Sequence, residues 1–361
     1  MNTSSHHKNI SMKNTFCKMV KQGYLPGSCL ITMPDGSKKP ACQATLKREK
    51  GMYWRLIKDI QLSRPEDYLS IYQSGCNHSC LKCHSYYFTQ RYNGKWMSTE
   101  DIAEICERYL AYVTVWEPRE RATMWHASDL CHHCGSCVTN GVRGFLCPGK
   151  LSPNQIVLSV QGFGPARNIV SFTGGDIVCC AEFYAEAAEK IKERTRNKLW
   201  VLIETNGYGL TPENLDLLAS AGVDSFWLDI KAYDEKVYKK LCGTTNKWIL
   251  KAPTEIIDRG FVLEVLTLYI PGWVETDQIK KIAELIYEVN PKIPFMILAF
   301  FPIHKLSHLR PPTLHEMVKA YKIVKEEVGL KHVKLGNCGV FCKSMSDWIE
   351  LLNMVGFSAI G

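Results

Sequence analysis

The sequence contains no apolar run near the roughly 20 residues that a membrane-spanning helix needs. Its first residues, MNTSSHHKNISMKN, are polar and lack the apolar core of a secretory leader. Lysine and arginine are interleaved with acidic residues and form no long basic tract of the kind that binds nucleic acid. We therefore expect a cytoplasmic protein without a transmembrane segment and without a nucleic-acid partner.

Cysteine, by contrast, is abundant, with 16 residues in a chain of 361. A reducing cytoplasm argues against a disulfide framework, and clustered cysteines there more often bind metal or carry out chemistry. The hydrophobic content of 46% is that of a globular protein. The net charge of +8 has two interpretations, an ordinary solvated surface or a basic face that docks an acidic electron donor.

Apolar runs rich in β-forming residues alternate with helix-period segments from about residue 69 onward. The six predicted strands are Leu69–Tyr72, Asn168–Phe172, Leu199–Ile203, Ser225–Asp229, Val262–Tyr269 and Phe295–Phe300. The predicted helices are Ala181–Arg194, Thr211–Ala221, Asp234–Leu241, Thr276–Val289 and Thr313–Val328. Repeated strand–helix units indicate a parallel sheet, and six are too few for an eight-stranded barrel. The prediction is an α/β fold with an open, partial (β/α)6 barrel.

Composition changes along the chain predict three parts. Residues 1–65 contain turn signals between short apolar runs, which indicates a strand-rich lead-in. Residues 66–340 form the predicted barrel, and residues 341–361 form a C-terminal extension. Within the barrel, residues 114–160 are rich in cysteine and glycine with weak periodicity, so we interpret them as an inserted metal-binding loop domain.

A first cysteine group, Cys76, Cys80 and Cys83, has the spacing C-x3-C-x2-C and directly follows a predicted strand. The carboxyl ends of parallel strands are where such folds place their chemistry. Thiolates are the usual ligands of iron–sulfur clusters, which normally take four. Three thiolates therefore leave one iron open to bind a small molecule and pass it an electron. The alternative is zinc, with His78 or His84 as a fourth ligand.

This loop resembles the signature of the radical S-adenosylmethionine (SAM) superfamily, and the resemblance extends over about residues 70–340. Five further segments, each after a successive predicted strand, are similar to motifs of that superfamily: Thr173-Gly174-Gly175-Asp176, Glu204-Thr205-Asn206-Gly207, Leu228-Asp229-Ile230-Lys231, Tyr269-Ile270-Pro271-Gly272-Trp273 and Phe300-Phe301-Pro302. The later segments resemble the pyruvate formate-lyase activating branch, whose members activate glycyl radical enzymes.

The resemblance implies a [4Fe–4S] cluster on the three cysteines, with SAM bound at the open iron. It also implies SAM contacts from Gly174, Gly175, Asp176, Glu204, Asn206, Asp229 and Lys231. The implied chemistry is that of an anaerobic oxidoreductase or transferase. SAM is cleaved reductively to a 5′-deoxyadenosyl radical, which takes hydrogen from a substrate. Flavodoxin or ferredoxin is the implied electron donor, and no catalytic side chain is assigned.

Taken singly, the motif residues also have structural interpretations. A Gly-Gly pair lets the backbone approach a ligand closely, but it is also a common turn. Asp176 suits a helix N-cap, and Asn206-Gly207 suits a turn. Only their ordered recurrence after successive strands favours SAM binding.

Two positions depart from the superfamily pattern. Lys82 stands where an aromatic side chain often contacts adenine, which leaves the backbone, Tyr86 or Tyr87 for that contact. Asp176 is one methylene shorter than the usual glutamate.

A second cysteine group, Cys131, Cys134, Cys137 and Cys147, has the spacing C-x2-C-x2-C-x9-C followed by proline. Four thiolates complete a closed site, and the spacing begins and ends like that of a bacterial ferredoxin, so we expect a second [4Fe–4S] cluster. The alternative is a zinc or mononuclear iron site. The nearby histidines that could replace a ligand are His126, His132 and His133. Related activases usually carry eight cysteines at this point.

Three functions remain open. The first is an activase that forms a glycyl radical on a partner protein. The second, favoured by the reduced insert and the long lead-in, is a radical SAM enzyme that modifies a peptide, lipid or small molecule. The third is a non-catalytic iron–sulfur electron carrier, against which the SAM motifs argue. The sequence contains no D-x-H-x-x-G motif, which disfavours a cobalamin-dependent methyltransferase.

Overall fold

The computed structural model describes residues 17–361, so the polar N-terminal stretch discussed above lies outside the described residues. Its strands are β1 (Leu30–Thr32), β2 (Lys38–Pro40), β3 (Leu46–Glu49), β4 (Met52–Leu62), β5 (Leu69–Gln73), β6 (Lys95–Ser98), β7 (Val157–Ser159), β8 (Gly162–Gly164), β9 (Ile169–Gly174), β10 (Trp200–Thr205), β11 (Ser225–Asp229), β12 (Val262–Tyr269), β13 (Phe295–Ala299) and β14 (Val333–Gly336).

Its helices are α1 (Lys18–Lys21), α2 (Ala41–Thr45), α3 (Tyr86–Thr89), α4 (Thr99–Tyr109), α5 (Ser136–Thr139), α6 (Ala181–Thr195), α7 (Pro212–Ser220), α8 (Glu235–Cys242), α9 (Ala252–Asp258), α10 (Thr276–Val289), α11 (Leu314–Lys322) and α12 (Met345–Val355). A π-helical segment, Ile323–Val328, continues α11. In residues 17–361, every helix is too short or too polar to cross a bilayer.

A ten-stranded sheet dominates the fold, with β5, β9, β10, β11, β12, β13 and β14 side by side in chain order. Each neighbouring pair in this series is parallel. The series does not close on itself, because β3 and β14 are the two ends of the hydrogen-bonded path. The predicted open, partial α/β barrel is therefore confirmed. It differs from the prediction by a seventh parallel strand, β14, which follows the six predicted ones.

Local periodicity located most elements closely. Strands β11 and β12 and helix α10 begin and end at the predicted residues. Helix α4, which crosses from β5 to β9, was not among the predicted helices. It begins at a capping box in which Ser98 accepts from the backbone of Asp101 and the Asp101 carboxylate accepts from Ser98.

The described part of the lead-in, residues 17–65, contains β1 to β4, and β4 pairs antiparallel with β5 of the barrel. Arg55 on β4 is fully buried. Its guanidinium donates to the backbone oxygens of Thr45 at 3.0 Å and Gly75 at 3.2 Å. The lead-in therefore supports the loop that carries the first cysteine group. The proposed division into domains stays a prediction.

The cysteine-rich insert lies at the amino ends of the parallel strands, opposite the first cysteine group. His133 in the insert contacts Asp67, just before β5, at 2.9 Å. The Trp125 backbone N–H donates to Glu264 near the start of β12 at 2.8 Å, and its carbonyl accepts from Lys334 at 2.8 Å. This end of the barrel is therefore closed by residues of the insert itself.

The interior of the barrel contains a compact apolar group. Its buried members are Tyr68, Ala122, Met124, Trp125, Ile169, Leu202, Leu266 and Met296, with Trp200, Trp227 and Leu298 packed against them. These side chains fill the space between the closed amino end and the open carboxyl end. The larger core lies between the sheet and the outer helices, where burial of apolar surface stabilises the fold.

Candidate functional site

A cavity of about 450 Å³ opens at the carboxyl ends of the parallel strands. Its walls include all three cysteines of the first group and six of the seven residues expected to contact SAM, namely Gly174, Asp176, Glu204, Asn206, Asp229 and Lys231. Segments far apart in the sequence therefore meet in one cavity. Asn337, directly after strand β14, also lines it.

The thiols of Cys76 and Cys83 have polar neighbours. The backbone N–H of His78 donates to the Cys76 sulfur at 3.4 Å, and the side-chain amide of Asn206 lies 3.8 Å from it. The Cys83 sulfur is 3.1 Å from the hydroxyl oxygen of Thr89. Such N–H and O–H groups are suited to stabilise sulfur ligands that carry negative charge.

Cys80 is buried beside a cysteine that the sequence analysis did not identify, Cys242 at the end of α8. A hydrogen bond from the Cys242 thiol, together with the charges of Lys231 and Lys82, holds the pKa of Cys80 below its usual value. Cys242 has no spacing relation to the C-x3-C-x2-C loop. Only the fold brings it there.

Cys76, Cys80 and Cys83 supply three thiols to the cavity, and thiolates are the donors that iron–sulfur clusters use. A zinc ion there would need one of the two nearby histidines as its fourth ligand. His78, one alternative zinc ligand, has both ring nitrogens engaged, by Asn77 at 2.8 Å and Tyr238 at 2.8 Å. His84, the other, lines the cavity.

Gly175 packs the Gly-Gly-Asp loop directly onto the backbone of the first cysteine loop. A Cβ atom at Gly175 would lie 2.3 Å from the carbonyl oxygen of Gly75 and 2.6 Å from that of Gln73. Real Cβ atoms do not approach backbone oxygens that closely, so only glycine fits. Gly175 is the one expected SAM contact that does not line the cavity.

Asp176 joins three loops of the site. Its carboxylate accepts from the Thr205 hydroxyl at 2.7 Å, the Asn206 N–H at 2.8 Å and the Val178 N–H at 2.8 Å. Its carbonyl oxygen accepts from the Asn77 N–H at 2.7 Å. The shorter aspartate side chain therefore has a positioning role in addition to facing the cavity.

Asp229 lies between two ammonium groups. It forms an ion pair with Lys231, and the Lys82 nitrogen is 3.6 Å from one carboxylate oxygen. Burial alone would raise the pKa of Asp229, but Lys231 and Lys82 hold it below its usual value. The other oxygen, Oδ1, has no hydrogen-bond partner in the described chain and belongs to a cavity-lining residue. Lys82, which replaces the usual aromatic residue, is therefore part of a charged group.

The aromatic walls of the cavity are Trp227, Phe300 and Phe301. The two tyrosines considered for an adenine contact lie elsewhere. Tyr86 stacks on His304 with ring centroids 4.2 Å apart, and Tyr87 is 49% exposed.

Glu204 points into the barrel from β10. Its carboxylate accepts from the Tyr68 hydroxyl at 3.0 Å, the Ser171 hydroxyl at 3.0 Å and the Thr173 hydroxyl. Burial, with a contribution from the charge of Glu66, raises the pKa of Glu204 to about 8. Within residues 17–361, no lysine or arginine forms an ion pair with this carboxylate.

Cys131, Cys134 and Cys137 of the insert lie close together at the other end of the barrel. Burial raises the pKa of Cys131 to about 11, and the charges of Asp67, Cys134 and Cys137 act in the same direction. The Arg143 guanidinium lies 3.5 Å from the Cys147 sulfur. Two of the three histidines considered as ligands contact carboxylates instead: His133 contacts Asp67 at 2.9 Å and His126 contacts Asp129 at 3.2 Å.

Part of the chain is similar to proteins of one known superfamily. Residues 129–286 match the family model described as Radical SAM superfamily. The predicted resemblance to the radical SAM superfamily is confirmed. The matched range covers strands β9 to β12 and begins after the first cysteine group.

Two curated proteins from Methanocaldococcus jannaschii are similar to this chain. One carries the provisional name of a glycyl-radical enzyme activating enzyme and is 28% identical over 145 residues, 39% of this chain and 52% of the relative. An uncharacterized protein is 28% identical over 193 residues, 52% of this chain and 54% of the relative. The chain therefore spans about half the length of the curated relatives it matches.

A solved structure with likeness to this chain is a domain of pyruvate-formate lyase-activating enzyme from Bacteroides vulgatus. It is 21% identical, with a TM-score of 0.39, and the match covers 46% of this chain and 98% of that domain.

Proposed function

We propose that this chain is an enzyme that cleaves SAM reductively at a [4Fe–4S] cluster held by Cys76, Cys80 and Cys83. The observation that carries the proposal is the single cavity that contains these thiols and residues of four later motifs. When bound, the cluster supplies the electron that splits SAM into methionine and a 5′-deoxyadenosyl radical, which takes hydrogen from the substrate.

The protein's own residues would bind SAM and exclude water. The free carboxylate oxygen of Asp229 is available to a hydrogen-bond donor in the cavity, and Lys231 is available to an acceptor. The apolar walls formed by Trp227, Leu266 and Leu298 would keep water from a reactive radical.

The substrate in this proposal is a peptide, lipid or small molecule. A second candidate function is activation of a glycyl radical enzyme, favoured by the provisional name of one curated relative. For the activase, a protein loop would enter through the open side of the barrel. Incubation with SAM, reductant and a purified glycyl radical enzyme would then give a glycyl radical signal in electron paramagnetic resonance (EPR). Absence of that signal, with SAM still cleaved, would favour the first candidate.

We also infer a second metal centre at Cys131, Cys134, Cys137 and Cys147, with a [4Fe–4S] cluster as the expected occupant. Its support is the spacing of the four cysteines in the sequence, the closeness of Cys131 to Cys134 and Cys137, and the contact of the insert with the amino end of the barrel. Replacing Cys131 by alanine should halve the iron content of the anaerobically reconstituted protein. Loss of zinc instead of iron would contradict the cluster. The core variant Cys106→Ala is the control, because Cys106 is buried in α4 away from both groups.

A cytoplasmic location belongs to the same proposal. Its support is that all 16 cysteines are free thiols.

The direct test of the proposed function is 5′-deoxyadenosine formation. The anaerobically reconstituted protein should form it from SAM and dithionite, and Cys80→Ala should abolish it. Cys106→Ala again controls for loss of a buried thiol. If the wild-type protein forms none with its iron content intact, the proposed function is wrong.

A further inference from the structure

Large apolar side chains are exposed in one short part of the insert. They are Val138 (36% exposed), Val142 (59%), Phe145 (59%), Leu158 (70%) and Val160 (84%). We call these five residues the insert face. A group of exposed apolar side chains in one segment is the kind of surface that proteins use for interaction.

Segments that carry residues of the insert face pack close to Cys134, which is itself exposed. Gly144, which precedes Phe145, packs against Cys134. A Cβ atom at Gly144 would lie only 2.6 Å from the Cys134 sulfur. Gly135, which follows Cys134, packs against Phe163. A Cβ atom at Gly135 would lie 2.4 Å from the Phe163 ring. Phe163 pairs with Leu158 in the β7–β8 hairpin, which connects the hairpin to the cysteines.

The charge of this segment indicates the kind of partner. Residues 130–166 contain no aspartate or glutamate. Arg143 and Lys150 are exposed beside the apolar side chains. A second copy of the chain would bring the same positive charges to the interface, whereas an acidic partner would complement them.

We propose that the insert face docks a small acidic electron-carrier protein of the flavodoxin or ferredoxin class. This inference rests on the proposed function, because the carrier gives one electron to the metal centre at Cys131, Cys134, Cys137 and Cys147. The reduced carrier is oxidised by one electron and the centre is reduced by one. Docking at the amino end of the barrel leaves the opposite cavity free for SAM and substrate.

The test uses the anaerobic holoenzyme and an acidic flavodoxin as the probe. The double variant Phe145→Glu/Val160→Glu introduces negative charge into the insert face. The control is Tyr287→Glu/Ile349→Glu, which changes two exposed apolar residues, 46% and 49% exposed, outside the insert. We expect roughly tenfold or greater weakening of flavodoxin binding in the insert variant, as for loss of central interface contacts. The control should bind as the wild type does.

Two further measurements separate docking from general damage. Arg143→Gln/Lys150→Gln should reduce the salt dependence of binding, because screened charge pairs are removed. Stopped-flow reduction of the iron–sulfur absorbance by reduced flavodoxin should be slow in the insert variant. Reduction by dithionite, which needs no docking, should proceed at the wild-type rate.

Equal binding of flavodoxin by the wild type and the insert variant would overturn the inference. So would a dimer of the wild-type chain that the insert substitutions dissociate, because the insert face would then hold a second copy. A wrong proposed function would give a different result from a wrong docking site. Neither the wild-type protein nor any variant would then form 5′-deoxyadenosine from SAM, even with dithionite as the reductant.

Discussion

Glu204→Gln should change how the stability of the protein depends on pH. The carboxyl group has a pKa of about 8 in the folded chain, against an ordinary value of 4.5. Between pH 4.5 and about pH 8, the Glu204 carboxyl group is protonated to a greater extent in the folded protein than in the unfolded chain. Stability contributed by this group is therefore greatest below pH 4.5, falls as the pH rises, and levels off above pH 8. Glutamine does not titrate, so the variant should lack this decline.

The magnitude follows from the same values. One proton of difference changes the free energy of unfolding by about 1.4 kcal/mol per pH unit, and full titration gives at most about 5 kcal/mol. Because Glu204 borders a cavity that is open to water when no ligand is bound, we expect roughly half of that, about 2–3 kcal/mol. The variant should therefore gain stability relative to the wild type as the pH rises from 5.5 to about 8.

The assay is urea unfolding of the anaerobically prepared protein, followed by tryptophan fluorescence across this pH range. Glu104→Gln, an exposed substitution on α4, is the matched control and should leave the slope unchanged. Parallel pH profiles for the wild type and Glu204→Gln would refute the reasoning, because they would mean that this carboxyl group is not perturbed by burial.

Two further substitutions test the cavity itself. Asp229→Asn should raise the SAM dissociation constant at least about tenfold, since a charge-assisted hydrogen bond contributes about 1.5–3 kcal/mol. Equilibrium dialysis measures this, and Asp216→Asn, which removes an exposed ion pair, should have no effect. Gly175→Ala should destabilise the fold by up to about 3 kcal/mol in urea unfolding, because its Cβ meets backbone oxygens. Gly339→Ala has open space at the same position and should be neutral. Wild-type values for Asp229→Asn or Gly175→Ala would contradict these assignments.

The apolar periodicity of the sequence was sufficient to predict the barrel, because each strand and helix shows its pattern within its own residues. Strand β12 and helix α10 have clear apolar patterns, and both lie where the sequence predicts them. The motifs could be grouped in advance because parallel strands all end at one edge of a sheet. Strand β14 has only four residues, which is too short for a clear apolar pattern, and it lies outside the six predicted units.

Other features depend on contacts between distant residues and could not be predicted. The insert lies at the amino end of the barrel, as the contact of His133 with Asp67 shows. These two residues are 66 positions apart in the sequence. Cys242 reaches Cys80 only because α8 packs beside the first cysteine loop. Lys82 was recognised as a departure from the superfamily pattern, but its pairing with Asp229 required the three-dimensional arrangement.

The central claim is that Cys76, Cys80 and Cys83 hold a cluster with an iron open to SAM. The most direct measurement is EPR spectroscopy of the reduced protein with the four insert cysteines replaced by alanine, recorded with and without SAM. We predict a reduced [4Fe–4S] signal that changes when SAM is added, and no such signal when Cys76, Cys80 and Cys83 are replaced as well. A signal that SAM leaves unchanged, or one that survives loss of the first three cysteines, would contradict the account.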